Sequence, residues 1–225
     1  MVMSMRSVAQ VASELGVTPE RVRQLIATGA LPAVRVGDRW VIDDGMPVRR
    51  QEGRPWSEAA AWGLLWMAAG RPAPWLSVKQ RQRVRMRMVE GVPAHVDRLS
   101  ARAKPLWFRA HPSSLPRLVS DSRLVDSGLS AASVVGADLV VADRVEGYVR
   151  SSDLIALIAE YGLEPVAPGQ GNLVLRSVSE VWPFVDGERV APALVVALDL
   201  MDSPDARTSR AGRGLLKRAL RKEAE

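Results

Sequence analysis

The feature that most constrains this chain is a pair of helix starts within its first twenty residues. Ser7-Val8-Ala9-Gln10 has the form of a capping box, in which the Ser7 hydroxyl accepts the Gln10 backbone N–H and Gln10 reaches back. Val8, Val11, Ala12 and Leu15 follow the i, i+3, i+4, i+7 spacing, which predicts a two-turn helix with one apolar stripe, ended by Gly16. Thr18-Pro19-Glu20 restarts a helix, with Thr18 as N-cap, Pro19 at the first helical position and Glu20 beside the positive end of the dipole. Val22, Leu25 and Ile26 supply the inner face of this second helix, and Gly29 its stop. Two short helices joined across Gly16-Val17 follow the helix-turn-helix plan.

The next stretch, Ala33-Val34-Arg35-Val36-Gly37-Asp38-Arg39-Trp40-Val41-Ile42, reads as two short strands around the tight-turn dipeptide Gly37-Asp38. Such a hairpin forms a wing. Arg35 and Arg39 flank its tip, where they could meet phosphate or enter a minor groove.

These residues, from Ser7 through Arg23 to Gly37, resemble the winged helix-turn-helix of the excisionase and MerR families over about 40 positions. The resemblance implies that the second helix is a recognition helix placed in the major groove. Its outward residues Thr18, Arg21, Arg23 and Gln24 would then contact double-stranded promoter DNA, with Arg35 and Arg39 from the wing. Arginine suits guanine edges and glutamine adenine edges, and either can hold phosphate instead.

Charge along the chain agrees with a polyanion partner. The 225 residues hold 31 Lys/Arg against 25 Asp/Glu, a net charge of +6. Residues 1–120 carry 19 basic against 9 acidic side chains, and residues 121–225 carry 12 against 16. The first part is thus suited to nucleic acid and the second is free for protein. There is no cysteine, which excludes disulfides and thiolate metal sites and fits a reducing compartment. No secretory signal is evident at the N-terminus. The most apolar runs, 59–69 and 190–201, fall short of the ~20 residues that span a bilayer. A soluble, cytoplasmic protein without membrane association is expected.

Residues 43–55 are rich in Gly, Pro and charge and read as a boundary. Ser57 is placed to cap a helix over 58–69, in which Trp62 and Trp66, four apart, read as core residues and not as base-stacking platforms. Ser77 is placed to cap another through Val89. Its Lys79, Arg81, Arg83, Arg85 and Arg87 alternate with Gln80, Gln82, Val84, Met86 and Met88, a period that also suits a strand. Helix is preferred because Gln, Arg and Met are good helix formers and Glu90-Gly91 marks a stop.

Strands are expected at Leu106–Arg109, Leu139–Ala142, Val145–Val149 and Asn172–Val178. A helix capped by Ser151-Ser152-Asp153 is expected to turn Leu154, Ile155, Leu157 and Ile158 inward and to end at Gly162. Two helices close the chain, one over Pro192–Met201 and one capped by Ser203 with Pro204 at its first position, weakened by Gly212 and Gly214. Strands mixed with helices indicate an α+β domain.

Several stretches of this part resemble the C-terminal region of the AbiE-type abortive-infection antitoxins, over roughly 107–220. They are Glu146-Gly147-Tyr148-Val149, Tyr161-Gly162, Gly171-Asn172-Leu173-Val174-Leu175-Arg176, Val181-Trp182-Pro183-Phe184, Val190–Leu200 and Ser203–Arg207. That resemblance implies a toxin-antitoxin function: autorepression of an operon as a transcriptional repressor, and neutralisation of a nucleotidyltransferase-type toxin. The family usually opens with its own winged helix, whereas this chain opens with an excisionase-like one. A stand-alone transcriptional regulator with an effector-binding or dimerising C-terminal domain is the alternative.

Signatures of chemistry are sparse. The sequence has no Gly-x-Ser-x-Gly, no phosphate-binding glycine loop with lysine and no paired-histidine spacing; only His95 and His111 are present. Asp138, Asp143 and Glu146 read as turn and edge residues and not as a metal cluster. No enzyme, catalytic residue, metal ligand or cofactor is expected. The predicted architecture is α+β: a winged helix-turn-helix over 1–45, a linker over 46–56, a basic helical segment over 57–103 and a mixed α/β domain over 104–225.

Overall fold

The computed structural model describes residues 5–15, 17–27, 33–37, 39–43, 56–139 and 144–222. The chain divides into two compact units, Met1–Arg54 and Pro55–Glu225. Gly16, Gly29, Asp38, the segment 44–55 and the expected strand residues 140–142 lie outside the described residues.

In the first unit, β1 (Met5–Ser7) leads into α1 (Val8–Leu15), α2 (Pro19–Ala27), β2 (Val34–Val36) and β3 (Arg39–Asp43). The capping box at Ser7 is formed: Gln10 N–H donates to Ser7 Oγ at 3.3 Å and Ser7 N–H to Gln10 Oε1 at 2.8 Å. Thr18 Oγ1 accepts the Arg21 N–H at 3.3 Å and so caps α2. Val11, Ala12, Val22 and Ile42 form a small buried core. β2 and β3 pair with Val36 opposite Arg39, and Gly37, which follows β2, takes a positive φ of 61°. β1 was not legible in advance. It pairs antiparallel with β3, Met5 opposite Asp43, to complete a three-stranded sheet of order β1-β3-β2.

The second unit contains α3 (Glu58–Ala68), α4 (Val78–Glu90), α5 (Val96–Leu99), β4 (Lys104–Arg109), α6 (Leu115–Ser120), β5 (Val125–Asp126) and α7 (Gly128–Ala131). It continues with β6 (Val145–Arg150), α8 (Leu154–Tyr161), β7 (Glu164–Pro165), β8 (Leu173–Val178), α9 (Ala193–Met201) and α10 (Ala206–Lys222). A five-stranded sheet of order β5-β6-β8-β4-β7 is its frame; β6 and β8 run parallel and the other neighbours antiparallel. The crossover between the two parallel strands carries α8, as parallel pairing demands.

Period-two alternation sends successive side chains to opposite faces of this sheet. Val145, Val149, Leu173 and Leu175 pack with Leu118, Leu157 and Tyr161 of α6 and α8. Tyr148 and Val178 point the other way, into a larger core built from α3, α4, α7, α9 and α10. Trp56, Trp62 and Trp66 belong to that core. Trp62 is fully buried and meets Trp66, Tyr148 and Phe184 edge-on, with ring centroids 5.3, 5.2 and 5.5 Å away.

Residues 57–103, read from sequence as a segment of their own, therefore share one core with the sheet. Trp56, assigned to the linker, is 8% exposed and belongs to the same core. Glu58 adds a polar tie, accepting the backbone N–H groups of Ser179, Glu180 and Val181 at 2.7–3.2 Å. Charge is redistributed accordingly. Residues 1–54 carry 8 Lys/Arg against 6 Asp/Glu, and residues 55–225 carry 23 against 19. The basic-then-acidic division of the sequence does not follow the folded units, and the second unit is itself net basic.

α4 is a helix from end to end, its capping box formed by Ser77 and Gln80. Two further expectations are corrected. Ile155 is 80% exposed and not on the inner face of α8. α10 begins at Ala206, where Asp205 and not Ser203 caps it: Asp205 Oδ2 accepts the Thr208 N–H and hydroxyl, each at 2.7 Å. No described helix is long and apolar enough to cross a membrane.

α9 and α10 lie close because Gly212 sits at their crossing. A Cβ at Gly212 would stand 2.7 Å from the Ala197 carbonyl oxygen and 2.8 Å from the Met201 nitrogen, contacts that force a shift. Helix propensity favours alanine over glycine by about 1 kcal/mol. Overpacking costs about 1–3 kcal/mol and wins here, because backbone atoms cannot swing aside. Gly212→Ala is expected to lower the urea midpoint with an unchanged m-value. A midpoint at or above that of the wild type would show that the two helices are not in tight register.

Candidate nucleic-acid interface and buried polar hub

The outward residues of α2 do not share one face. At 100° per residue, Arg21 and Gln24 fall 60° apart, and Arg21 and Arg23 about 160° apart. Arg21 donates to Gln24 Oε1 at 3.2 Å and Arg23 pairs with Glu20 at 2.8 Å, the two pairs being centred about 100° apart around the helix. All four side chains are exposed, as is Thr18, whose hydroxyl is engaged in capping. Arg35 is exposed on β2 and lies opposite Trp40 in the ladder. The Arg39 side chain is outside the described set; its backbone pairs with Val36 beside the hairpin turn. α2 thus presents one Arg–Gln pair on one flank and an internally neutralised Arg–Glu pair on the other.

In α4 the basic side chains also separate. Arg81 donates to the carbonyls of Ala73 and Leu76 at 3.4 and 3.3 Å, and the Arg87 guanidinium stacks 4.1 Å from the Trp56 ring centroid. Lys79, Arg83 and Arg85 remain exposed.

The densest polar arrangement is one the sequence reading did not assemble. Asp199 is buried in α9, which is otherwise apolar. Its carboxylate accepts from Arg102, from the Ser127 hydroxyl and, at 2.8 Å, from the Tyr148 hydroxyl. Arg102 also donates from Nε to the Tyr148 hydroxyl at 3.0 Å and pairs with Asp202 at 2.7 Å. Arg176 Nε lies 3.2 Å from Asp199 Oδ1, close enough for charge attraction but out of line for a hydrogen bond. Two guanidiniums thus face two carboxylates.

The sheet explains how they meet. Tyr148 and Arg176 are register partners across the parallel β6–β8 pair and point to the face that α9 covers. Burial alone would raise the Asp199 carboxyl, but Arg176 and Arg102 outweigh it and hold the group below the usual carboxylate range. Burial keeps the Tyr148 phenol protonated, so it serves as donor. Apart from Asp202, which reaches the surface, this charge-balanced cluster is buried between sheet and helix, where it can hold elements in place.

Two more carboxyls are shifted upward. Burial raises Glu146, against the nearby Arg176, and burial lifts Asp126 to about 6, against Arg189. One Asp126 oxygen is buried without a hydrogen-bond donor among the described residues. Asp138 is exposed and Asp143 lies outside the described residues; among those described, no three potential ligands group to hold a metal ion. An open groove of about 500 Å³ beside the start of α3 is lined by Trp56, Glu58, Lys104, Ser177 and Ser179.

No protein family, curated protein or solved structure matches this chain.

Asp199→Asn would leave two buried guanidiniums facing one remaining carboxylate, and breaking such a cluster costs about 3–5 kcal/mol. Chemical denaturation is expected to report a loss of that size in the second unit, and a loss below about 1 kcal/mol would rule out the hub as an organising element. Asp126 has the opposite sign. Its folded pKa of about 6 exceeds the ordinary 3.8, so its ionisation is penalised in the folded state. Stability from this group is full below 3.8 and is lost as pH rises through about 6. Asp126→Asn should therefore raise the melting temperature well above pH 6 and lose that advantage in acid; a pH-independent difference would remove burial of the charge as the cause.

Proposed function

We propose that the chain is a DNA-binding antitoxin of a toxin-antitoxin system. In this reading the first unit is a winged helix-turn-helix that represses the operon encoding it, in the cytoplasm. The second unit is the antitoxin part and acts without catalysis of its own. The observation that carries the DNA-binding half is the exposed Arg21–Gln24 pair on a helix capped by Thr18, beside a tight hairpin with Arg35 near its turn. A forked guanidinium and a carboxamide side by side suit a guanine and an adenine edge in the major groove. Arg23, tied to Glu20, is better placed to touch phosphate at the rim.

The antitoxin half draws on the likeness of 107–220 to the AbiE-type antitoxins, and the expected partner is a nucleotidyltransferase-like toxin. The competing reading, a stand-alone regulator with a small-molecule effector, draws on the groove at Lys104, Ser177 and Ser179.

Arg21→Ala should weaken binding to the chain's own promoter by roughly 10- to 100-fold, and Arg23→Ala by less, in a mobility-shift titration. Unchanged affinity in both variants would overturn the recognition-helix assignment. Full-length Arg21→Ala should still rescue cells that express the neighbouring nucleotidyltransferase-like protein. Loss of rescue together with repression would mean that protection runs only through the promoter.

A further inference from the structure

α10 carries the most one-sided charge in the chain. Residues 206–222 hold seven Lys/Arg and no Asp or Glu. Arg207, Arg210, Arg213, Lys217, Arg218 and Arg221 are all exposed, while Thr208, Ser209, Gly212, Leu215 and Leu216 are buried against the rest of the unit. At 100° per residue the six basic positions fall within an arc of about 140°, and from Arg207 to Arg221 they run about 21 Å along the axis. Arg213 donates to Ser209 at 3.2 Å and Arg218 to the Gly136 carbonyl at 3.0 Å. Neither acceptor is charged, and none of the six forms an ion pair with a described carboxylate. Asp205, at the start of the helix, is committed to capping. Asp205 attracts Arg207 at one end of the stripe; beyond that no described carboxylate lies within ion-pair distance of it, and the excess of acids over bases in 121–225 conceals this in the sequence.

The chemistry of the stripe selects among polyanions. A helix that lies on a membrane needs an apolar face toward the lipid, and here the apolar face is the one buried in the protein. Protein interfaces have an apolar or aromatic centre, and none of the six positions is either. Single-stranded nucleic acid is gripped by aromatic stacking, and α10 has no aromatic residue. What remains is a rigid row of mostly guanidinium forks, suited to phosphates that are regularly spaced and rigid. Duplex DNA offers one negative charge per ~1.7 Å of its axis, so a stripe of this length can engage several at once.

We infer that the exposed face of α10 is a second, sequence-independent contact to the phosphate backbone of duplex DNA, separate from the N-terminal unit. That it adds grip to a sequence-reading module rests on the proposed function; that the second unit binds duplex backbone does not.

The full-length chain is titrated against a labelled random-sequence duplex and against its own promoter over a series of salt concentrations. The triple variant Arg210→Gln, Lys217→Gln, Arg221→Gln removes three charges from exposed positions and should melt as the wild type does. The expected result is a salt slope reduced by about 2 to 3 on both duplexes, with the promoter-to-random preference retained. Arg210→Lys with Arg221→Lys keeps the charge and should keep the slope. An unchanged slope in the triple variant overturns the proposal, whatever Arg21→Ala does. Displacement of the duplex by polyglutamate as readily as by unlabelled duplex also overturns it, in favour of an acidic protein partner. A reduced slope in the triple variant, with promoter preference untouched by Arg21→Ala, would leave this inference standing and sink the recognition-helix reading instead.

Discussion

Asp199 is the point on which the second unit turns. α9 is apolar on every side, and burial by itself gives such a helix no preferred rotation about its axis. A single carboxylate supplies one. Arg102 from the turn after α5, Tyr148 and Arg176 from neighbouring strands, and Ser127 from the start of α7 all converge on it. Buried ion clusters return little net stability against well-packed apolar substitutes, and their contribution here is orientation. With α9 fixed, α10 is fixed in turn, because the two cross at Gly212 with no room for a side chain. The direction in which the basic stripe of α10 faces is thus set by a carboxylate on a different helix.

What was legible in the sequence is what short-range physics decides. Ser7, Thr18, Ser57 and Ser77 mark helix starts because a cap is completed within three residues. β4, β6 and β8 show in their composition, and Gly162 closes α8 in the left-handed conformation that favours glycine. β1 is not legible in the sequence because three residues become a strand only through β3, nearly forty residues later. Ile155 faces outward despite its apolar side chain because Leu154, Leu157 and Ile158 already fill the stripe beneath α8. The merging of 57–103 with the sheet was also hidden, since it rests on contacts such as Glu58 to Ser179, 121 residues apart. The hub left one trace, an aspartate within the apolar run Ala193–Met201, which has to find a cation if it is buried.

The candidate interface was legible in residue types but not in their grouping. Arg21, Arg23 and Gln24 are all outward, yet helical geometry and the Glu20 contact divide them between two flanks. Charge along the sequence was a poorer guide. A cut at residue 120 runs through the second unit, and it sets the acids of the sheet region against the bases of α10 as though they were mixed. Asp199 is buried in the hub, and Asp121 and Glu160 are tied to Arg123. The bases of α10 face outward.

The long reach of the hub also bears on the order in which the chain assembles during synthesis. Within the first unit the widest ladder contact, Met5 to Asp43, closes once the hairpin has been made. In the second, Arg102 waits 97 residues for Asp199, and α9 in turn packs against a helix that ends at Lys222. Contacts this distant carry a loop-closure cost that nearby pairings do not. On a ribosome the first unit can therefore be complete while the second still lacks its central counter-ion. A nascent chain would acquire its small N-terminal fold well before its larger one, and Trp62 and its neighbours would wait exposed for the last fifth of the sequence to arrive.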